Sequence, residues 1–160
     1  MNATVEKWGT IHVALPCAGV AWPIMTLTGK GPFNSEIFRK VIEINVYGSI
    51  HVAKYASVIM SKNKPDENGE RGVILFVSSV AGEEGQRGQI AYGASKGAIN
   101  GLVLPMARDL GRFGIRCVAI APGIIATPLY HLMNDKVKAR LNRDTPMGRP
   151  GRPDEFAHFA

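Results

Sequence analysis

Tyr92 and Lys96 stand four residues apart in the run Ala91-Tyr92-Gly93-Ala94-Ser95-Lys96-Gly97-Ala98, and Ser79 lies thirteen residues upstream. Four residues is about one helical turn, so a phenol and an ammonium would share one helix face. An ammonium held beside a phenol favours the phenolate. That is the state a proton-transferring tyrosine passes through at neutral pH. The spacing alone is a weak signal in a chain this rich in lysine. Its surroundings must decide.

Those surroundings read as strands alternating with long helices. Ile11-His12-Val13-Ala14-Leu15 is a short apolar run, expected as a buried strand ending at Pro16. Residues 19–33 carry Pro23, Gly29, Gly31 and Pro32 and are expected as a loop. Asn34 or Ser35 can cap a helix running to about Met60, with Ile37, Val41, Ile44, Val52, Ala56 and Ile59 at helical spacing and Asn45 the odd polar residue. Gly72-Val73-Ile74-Leu75-Phe76-Val77 is continuously apolar and β-branched, as strands covered on both faces are. A second helix is expected from about Tyr92 to Leu110, bent by Pro105. Its residues 97–107 are almost wholly apolar, which implies burial on more than one side and a packed partner. Ile115–Ile120 is a third strand, closed by Ala121-Pro122-Gly123. Short helical pieces and Pro- and Gly-rich turns follow, and Asp154 and Glu155 suit the first turn of a last helix. The fold class is therefore α/β, strand-helix-strand-helix-strand plus irregular helices, with parallel pairing and right-handed crossovers.

In open parallel sheets, ligands gather at the carboxyl ends of the strands. The unusual residues fall there: Pro16-Cys17-Ala18-Gly19 after the first strand, Ser78-Ser79 after the second, and Pro122-Gly123-Ile124-Ile125-Ala126-Thr127-Pro128 after the third. Tyr92 and Lys96 open the helix after the second strand. This convergence separates an active-site reading from a chance Tyr-x-x-x-Lys.

The 160 residues suffice for one domain with a core, and 46% hydrophobic with 20% charged residues describes a folded rather than a disordered chain. No apolar run has the length of a membrane span, and residues 1–10 have neither a secretory nor a mitochondrial leader pattern. The net charge of +6 gathers late, at Lys136, Lys138, Arg140, Arg143, Arg149 and Arg152. No aromatic residues interleave with it, so a solvated face is favoured over nucleic-acid binding, and an anionic cofactor or thioester could also profit from it. Cys17 and Cys117 lack metal spacing and are expected as buried free thiols; no metal site is expected.

Together these residues resemble the short-chain dehydrogenase/reductase family over essentially the whole chain. Ser79, Tyr92 and Lys96 match its catalytic serine, tyrosine and lysine, and Asn45-Val46 resembles the helix asparagine that completes the tetrad. Cys17-Ala18-Gly19 resembles the family's Asn-Ala-Gly element, Pro122-Gly123 with Thr127 its segment over the nicotinamide, and Met147-Gly148-Arg149 with Pro153-Asp154-Glu155 its late loop-to-helix signature. Further stretches, Ser79-Val80-Ala81…Glu84-Gly85-Gln86 and Leu104-Pro105-Met106-Ala107-Arg108-Asp109-Leu110, are similar to members acting on hydroxyacyl-CoA or hydroxysteroid substrates.

The resemblance implies an oxidoreductase that uses NAD, with NADP open, on a secondary alcohol or ketone. Tyr92 would exchange the proton, Lys96 would assist it and hold the nicotinamide ribose, Ser79 would bond the substrate oxygen, and Asn45 would hold a water linking Lys96 to solvent. Cofactor contacts would come from Cys17, Ala18, Gly19, Tyr92, Lys96, Pro122, Gly123, Ile125 and Thr127. A homo-oligomer in the mitochondrial matrix or cytoplasm is implied, without membrane or nucleic-acid partners. Plainer roles stand beside these: Ser79 as a loop cap, Asn45 as a structural hydrogen-bonder, Cys17 as a packing residue and Thr127 as a turn stabiliser.

The family's glycine-rich first turn, which cradles a pyrophosphate at a helix N-terminus, has no counterpart here. Gly82, Gly85 and Gly88 follow the second strand and do not replace it. Residue 16 is proline where the pattern prefers asparagine. By resemblance, residues 1–160 are the C-terminal half of a doubly wound parallel Rossmann-like sheet, a partial NAD(P)-binding domain without its first strands or its last. Such a piece is expected to show weak or no activity alone, with an inactive copy or a scaffold associating through its long helices as the alternative.

Overall fold

Three apolar stretches form one parallel sheet in the computed structural model, which describes residues 1–160. The chain divides into two compact units, Met1–Ile120 and Ala121–Ala160. The first contains α1 (Asn2–Trp8), β1 (Val13–Ala14), β2 (Leu27–Thr28), β3 (Gly31–Pro32), α2 (Ser35–Ile42), α3 (Gly48–Met60), β4 (Gly72–Val77), α4 (Ile90–Gly111) and β5 (Ile115–Ile120). Its main sheet has the order β1-β4-β5. β4 and β5 pair in parallel from Gly72 opposite Ile115 to Val77 opposite Ile120, and β1 pairs with β4 through Val13 opposite Val73 and Ala14 opposite Ile74. This is the α/β, Rossmann-like arrangement that the alternation of apolar strands and long helices predicts.

The central strand carries the core because both of its faces are covered. Ile74, Leu75 and Phe76 are buried in succession, as expected of a strand between helical layers. Ile74 and Phe76 join Ile11, Ala14, Ala53, Ala56, Met60, Ile99, Ile115 and Cys117 in one cluster. Residues as fully enclosed as Phe76, Met60 and Ile99 each contribute about 1.5–3 kcal/mol through burial. A smaller cluster of Ile24, Val41 and Ala91, flanked by Phe33 and Phe38, ties α2 to the start of α4.

Several expectations are corrected. The first strand is regular only over Val13–Ala14 rather than Ile11–Leu15. The loop expected over residues 19–33 contains an antiparallel hairpin, Leu27–Thr28 against Gly31–Pro32. The expected single helix from residue 35 to 60 contains a wide π turn, Glu43–Tyr47, between α2 and α3. That turn moves the buried stripe onto Val41, Asn45, Val46, Ser49, Ala53, Ala56 and Met60, and leaves Ile44 exposed. The apolar stretch of α4 is not enclosed on several sides, since Leu104 is 57% exposed. Cys17 is exposed because the strand ends three residues before it; Cys117 is buried, and burial pushes its thiol up to about 11.

The second unit contains α5 (Pro128–His131), α6 (Asp135–Asp144) and α7 (Pro153–Phe159). Asn134 caps α6, its Oδ1 accepting from Lys136 N at 2.9 Å, and Tyr130 Oη donates to Asn142 Oδ1 at 3.1 Å. Ile125 bridges to Gly151. Glu155 accepts from both Arg149 Nη atoms, at 2.9 and 2.8 Å, and from the Arg152 backbone N–H at 2.7 Å. These donors, Arg149 first, hold its carboxyl down at about 2.

Candidate active site

The carboxyl end of β4 is held against the first turns of α4 by close backbone approach. Ser79 follows β4 and caps a short 3-10 turn, Val80–Gly82, its Oγ accepting from Ala81 N at 3.1 Å. That turn lies on a glycine face of α4. A Cβ on Gly93 would come within 3.0 Å of the Ala81 carbonyl oxygen, and one on Gly97 within 3.3 Å of the Gly82 carbonyl oxygen. Only glycine lets the two backbones come this near.

On α4, Tyr92 and Lys96 share a face as their spacing predicts, with the Lys96 Nζ 5.6 Å from the Tyr92 ring centroid. Lys96 is buried, 7% exposed, and its Nζ donates to the Val77 carbonyl oxygen at 2.7 Å. Burial holds this ammonium below the usual lysine range, with a smaller opposing effect from Cys17. An ammonium has three donors, so two remain for acceptors outside the protein. The Tyr92 hydroxyl is likewise not committed to a protein partner, and the Ser79 hydroxyl accepts one bond without donating its proton.

Asn45 stands at the centre of the π turn, 1% exposed. Its Oδ1 accepts from Val20 N at 2.8 Å, and its Nδ2 donates to Val20 O and to Ser95 Oγ, both at 2.9 Å. The side-chain amide thus pairs with Val20 as a backbone amide would. It fixes the segment Cys17-Ala18-Gly19 just before Val20, and a Cβ on Gly19 would stand 3.3 Å from Asn45 Oδ1. Ser95, wholly buried between Tyr92 and Lys96 in sequence, donates to the Tyr92 carbonyl oxygen at 2.7 Å. Asn45 therefore ties the segment after β1 to the helix that carries the phenol and the ammonium, with its amide protons fully used in doing so.

Ser95, Val20 and the Val77 carbonyl were not singled out from the sequence. A serine inside an apolar helix was the one available signal; the other two act through backbone atoms. Of the remaining candidates, Pro122, Gly123, Ile125 and Thr127 belong to the second unit. There Thr127 N donates to Ile125 O at 2.8 Å, and Thr127 precedes α5 as its N-cap residue without a side-chain capping bond.

The whole chain, residues 1–160, matches the enoyl-(acyl carrier protein) reductase family. It is 47% identical to the 3-hydroxyacyl-CoA dehydrogenase type-2 of Rattus norvegicus over 157 residues, covering 96% of this chain and 60% of that protein. Identity to the protein of the same name from Homo sapiens is 44% over 156 residues, with the same coverage. The crystal structure of 3-hydroxyacyl-CoA dehydrogenase type-2 from Mycobacterium avium superposes with a TM-score of 0.90 at 34% identity, covering 98% of this chain and 63% of that one. The chain thus spans about 60% of the length of the curated relatives it matches. A match along every residue, a shared parallel α/β fold and the Ser-Tyr-Lys signature converge: the chain belongs to the short-chain dehydrogenase/reductase family.

Proposed function

We propose that these residues carry the reacting centre of an oxidoreductase that interconverts a secondary alcohol and a ketone on a 3-hydroxyacyl thioester. The observation that carries this reading is the buried Lys96 ammonium, fixed to the end of β4 beside Tyr92 with two donors to spare. Tyr92 Oη gives its proton to the carbonyl oxygen in reduction, or takes the hydroxyl proton in oxidation. Lys96 keeps positive charge beside the phenol through that transfer, which typically contributes ~10²–10⁴-fold to rate. Ser79, whose proton is free to be donated, orients the substrate oxygen. Asn45 holds the Cys17–Gly19 segment in place.

The spare Lys96 donors fit the hydroxyls of a nicotinamide ribose, and the exposed segment after β1, Cys17 to Gly19, would complete the first unit's part of the binding surface. The dinucleotide, when bound, supplies the hydride acceptor or donor. No strand, glycine-rich turn and helix of the pyrophosphate-cradling kind occurs in residues 1–160. We assign only the nicotinamide end of the cofactor to these residues.

Tyr92→Phe tests the reading in the protein that carries this chain. With a 3-hydroxyacyl-CoA and either NAD or NADP, turnover is expected to fall by about 100-fold or more with the fold intact. Unchanged turnover removes Tyr92 from the chemistry. Association is part of the proposal too. Tyr47, Tyr55 and Val58 form an exposed apolar stripe along the π turn and α3, at 56%, 56% and 53% exposure, and α4 also leaves Leu104 exposed. A second copy of the chain is the partner we propose for these helices.

A further inference from the structure

We infer that Ser78 and Asn100 form a positioning pair that sets where Ser79 and the Lys96 ammonium stand. The inference rests on reading Ser79, Tyr92 and Lys96 as the reacting groups. Ser78 is 1% exposed and bonded in two directions. Its backbone N–H donates to Ile120 O at 2.7 Å, continuing the β4–β5 ladder one residue past Val77. Its hydroxyl donates its one proton to Asn100 Oδ1 at 2.6 Å, with the Lys96 carbonyl oxygen a second, longer acceptor at 3.1 Å. One residue is thereby fastened to the neighbouring strand and to α4.

The flanking residues give this fastening its chemical meaning. On one side is Val77, whose carbonyl receives the Lys96 ammonium; on the other is Ser79. Asn100 lies one turn beyond Lys96 on α4. It also closes over Gly82, where a Cβ would meet Asn100 Nδ2 at 2.9 Å. Asn100 therefore touches both ends of the segment Ser78–Gly82 that displays Ser79. Without the Ser78–Asn100 bond, that segment can move relative to α4, and the carbonyl that receives Lys96 moves with it. Misplacements of about an ångström can cost ~100-fold in rate.

A merely structural pair would affect stability and leave the chemistry of Lys96 alone. The discriminating readout is the pH dependence of Lys96 reductive methylation, mapped by mass spectrometry on the protein that carries this chain. Ser78→Ala, Asn100→Ala and the double variant are compared, with kcat and KM measured alongside. The titratable groups facing Lys96 are Tyr92 on its own helix and Cys17 after β1, and none of these variants alters them. Each single variant is expected to move the Lys96 labelling midpoint and to lower kcat about tenfold or more with KM within about twofold. The double variant should be no worse than the more affected single, because the two residues act as one unit.

Ser78→Ala removes a single oxygen atom, so it carries the test if Asn100→Ala does not fold. A folded Ser78→Ala protein with an unmoved Lys96 midpoint overturns the inference, as do fully additive losses. A wild-type protein without turnover sinks the oxidoreductase reading instead, and the labelling result still decides this one.

Discussion

Lys96 is where sequence chemistry and structural energetics meet most directly. Its ammonium is desolvated, so the charged form is disfavoured in the folded chain relative to the unfolded one. The sign follows from linkage. Between the lowered folded value and the ordinary lysine value of ~10.4, the unfolded chain binds more protons, so stability rises with pH there. Below that window the penalty is fully present. In Lys96→Met the penalty is absent at every pH, so the stability difference should shift in favour of the wild type as pH rises through the window. Denaturant unfolding of both proteins across alkaline pH measures this; a difference independent of pH contradicts it. Ser95 gives a second residue-scale expectation. Ser95→Ala leaves one Asn45 amide proton without its acceptor in a buried place, at a cost of about 1–3 kcal/mol by urea unfolding.

Glycine shows how one substitution changes sign with its position between elements. Gly82 lies where the turn after β4 meets α4, and a methyl group there would meet Asn100 Nδ2 at 2.9 Å, Lys96 C at 3.0 Å and Gly97 N at 3.1 Å. Gly82→Ala should destabilise by about 1–3 kcal/mol through overpacking. Gly101, inside the same helix, would meet nothing within 4 Å. Gly101→Ala should stabilise by about 0.5–1 kcal/mol through backbone entropy. Thermal or urea unfolding of the two variants side by side checks both signs. The same contrast explains what the sequence makes legible. Gly72–Val77 and Ile115–Ile120 are found at their observed limits because continuous apolarity bounded by turn residues marks a covered strand. The wide turn at Glu43–Tyr47 leaves no such mark, since it shifts a helical register without changing composition. Ile44 is therefore expected inside and found exposed. Asn45 is visible as an odd residue in an apolar stripe, but its partner Val20 is not. A bond to backbone atoms has no side-chain signature, and the Ser78–Asn100 bond is hidden among small polar residues for a similar reason.

At the scale of the whole chain, the sheet has three strands, and β1 and β5 form its edges. Exposed backbone edges and apolar faces promote pairing with other chains. Residues 1–160 purified alone should associate, and sedimentation or light scattering measures it. If the stripe on α3 is the contact, Tyr55→Glu with Val58→Glu should lower the mass toward that of one chain; an unchanged mass would place the contact elsewhere. Which surface α3 offers is set upstream, at residues 43–47. Rewinding those five residues as ordinary α-helix, with none removed, would swing everything that follows by about 100° around the helix axis. Ala53, Ala56 and Met60 would rotate toward water, and the tyrosines would be driven at the sheet. A single supernumerary residue thus acts as the molecule's clutch, matching the side that grips the core to the side left free for company.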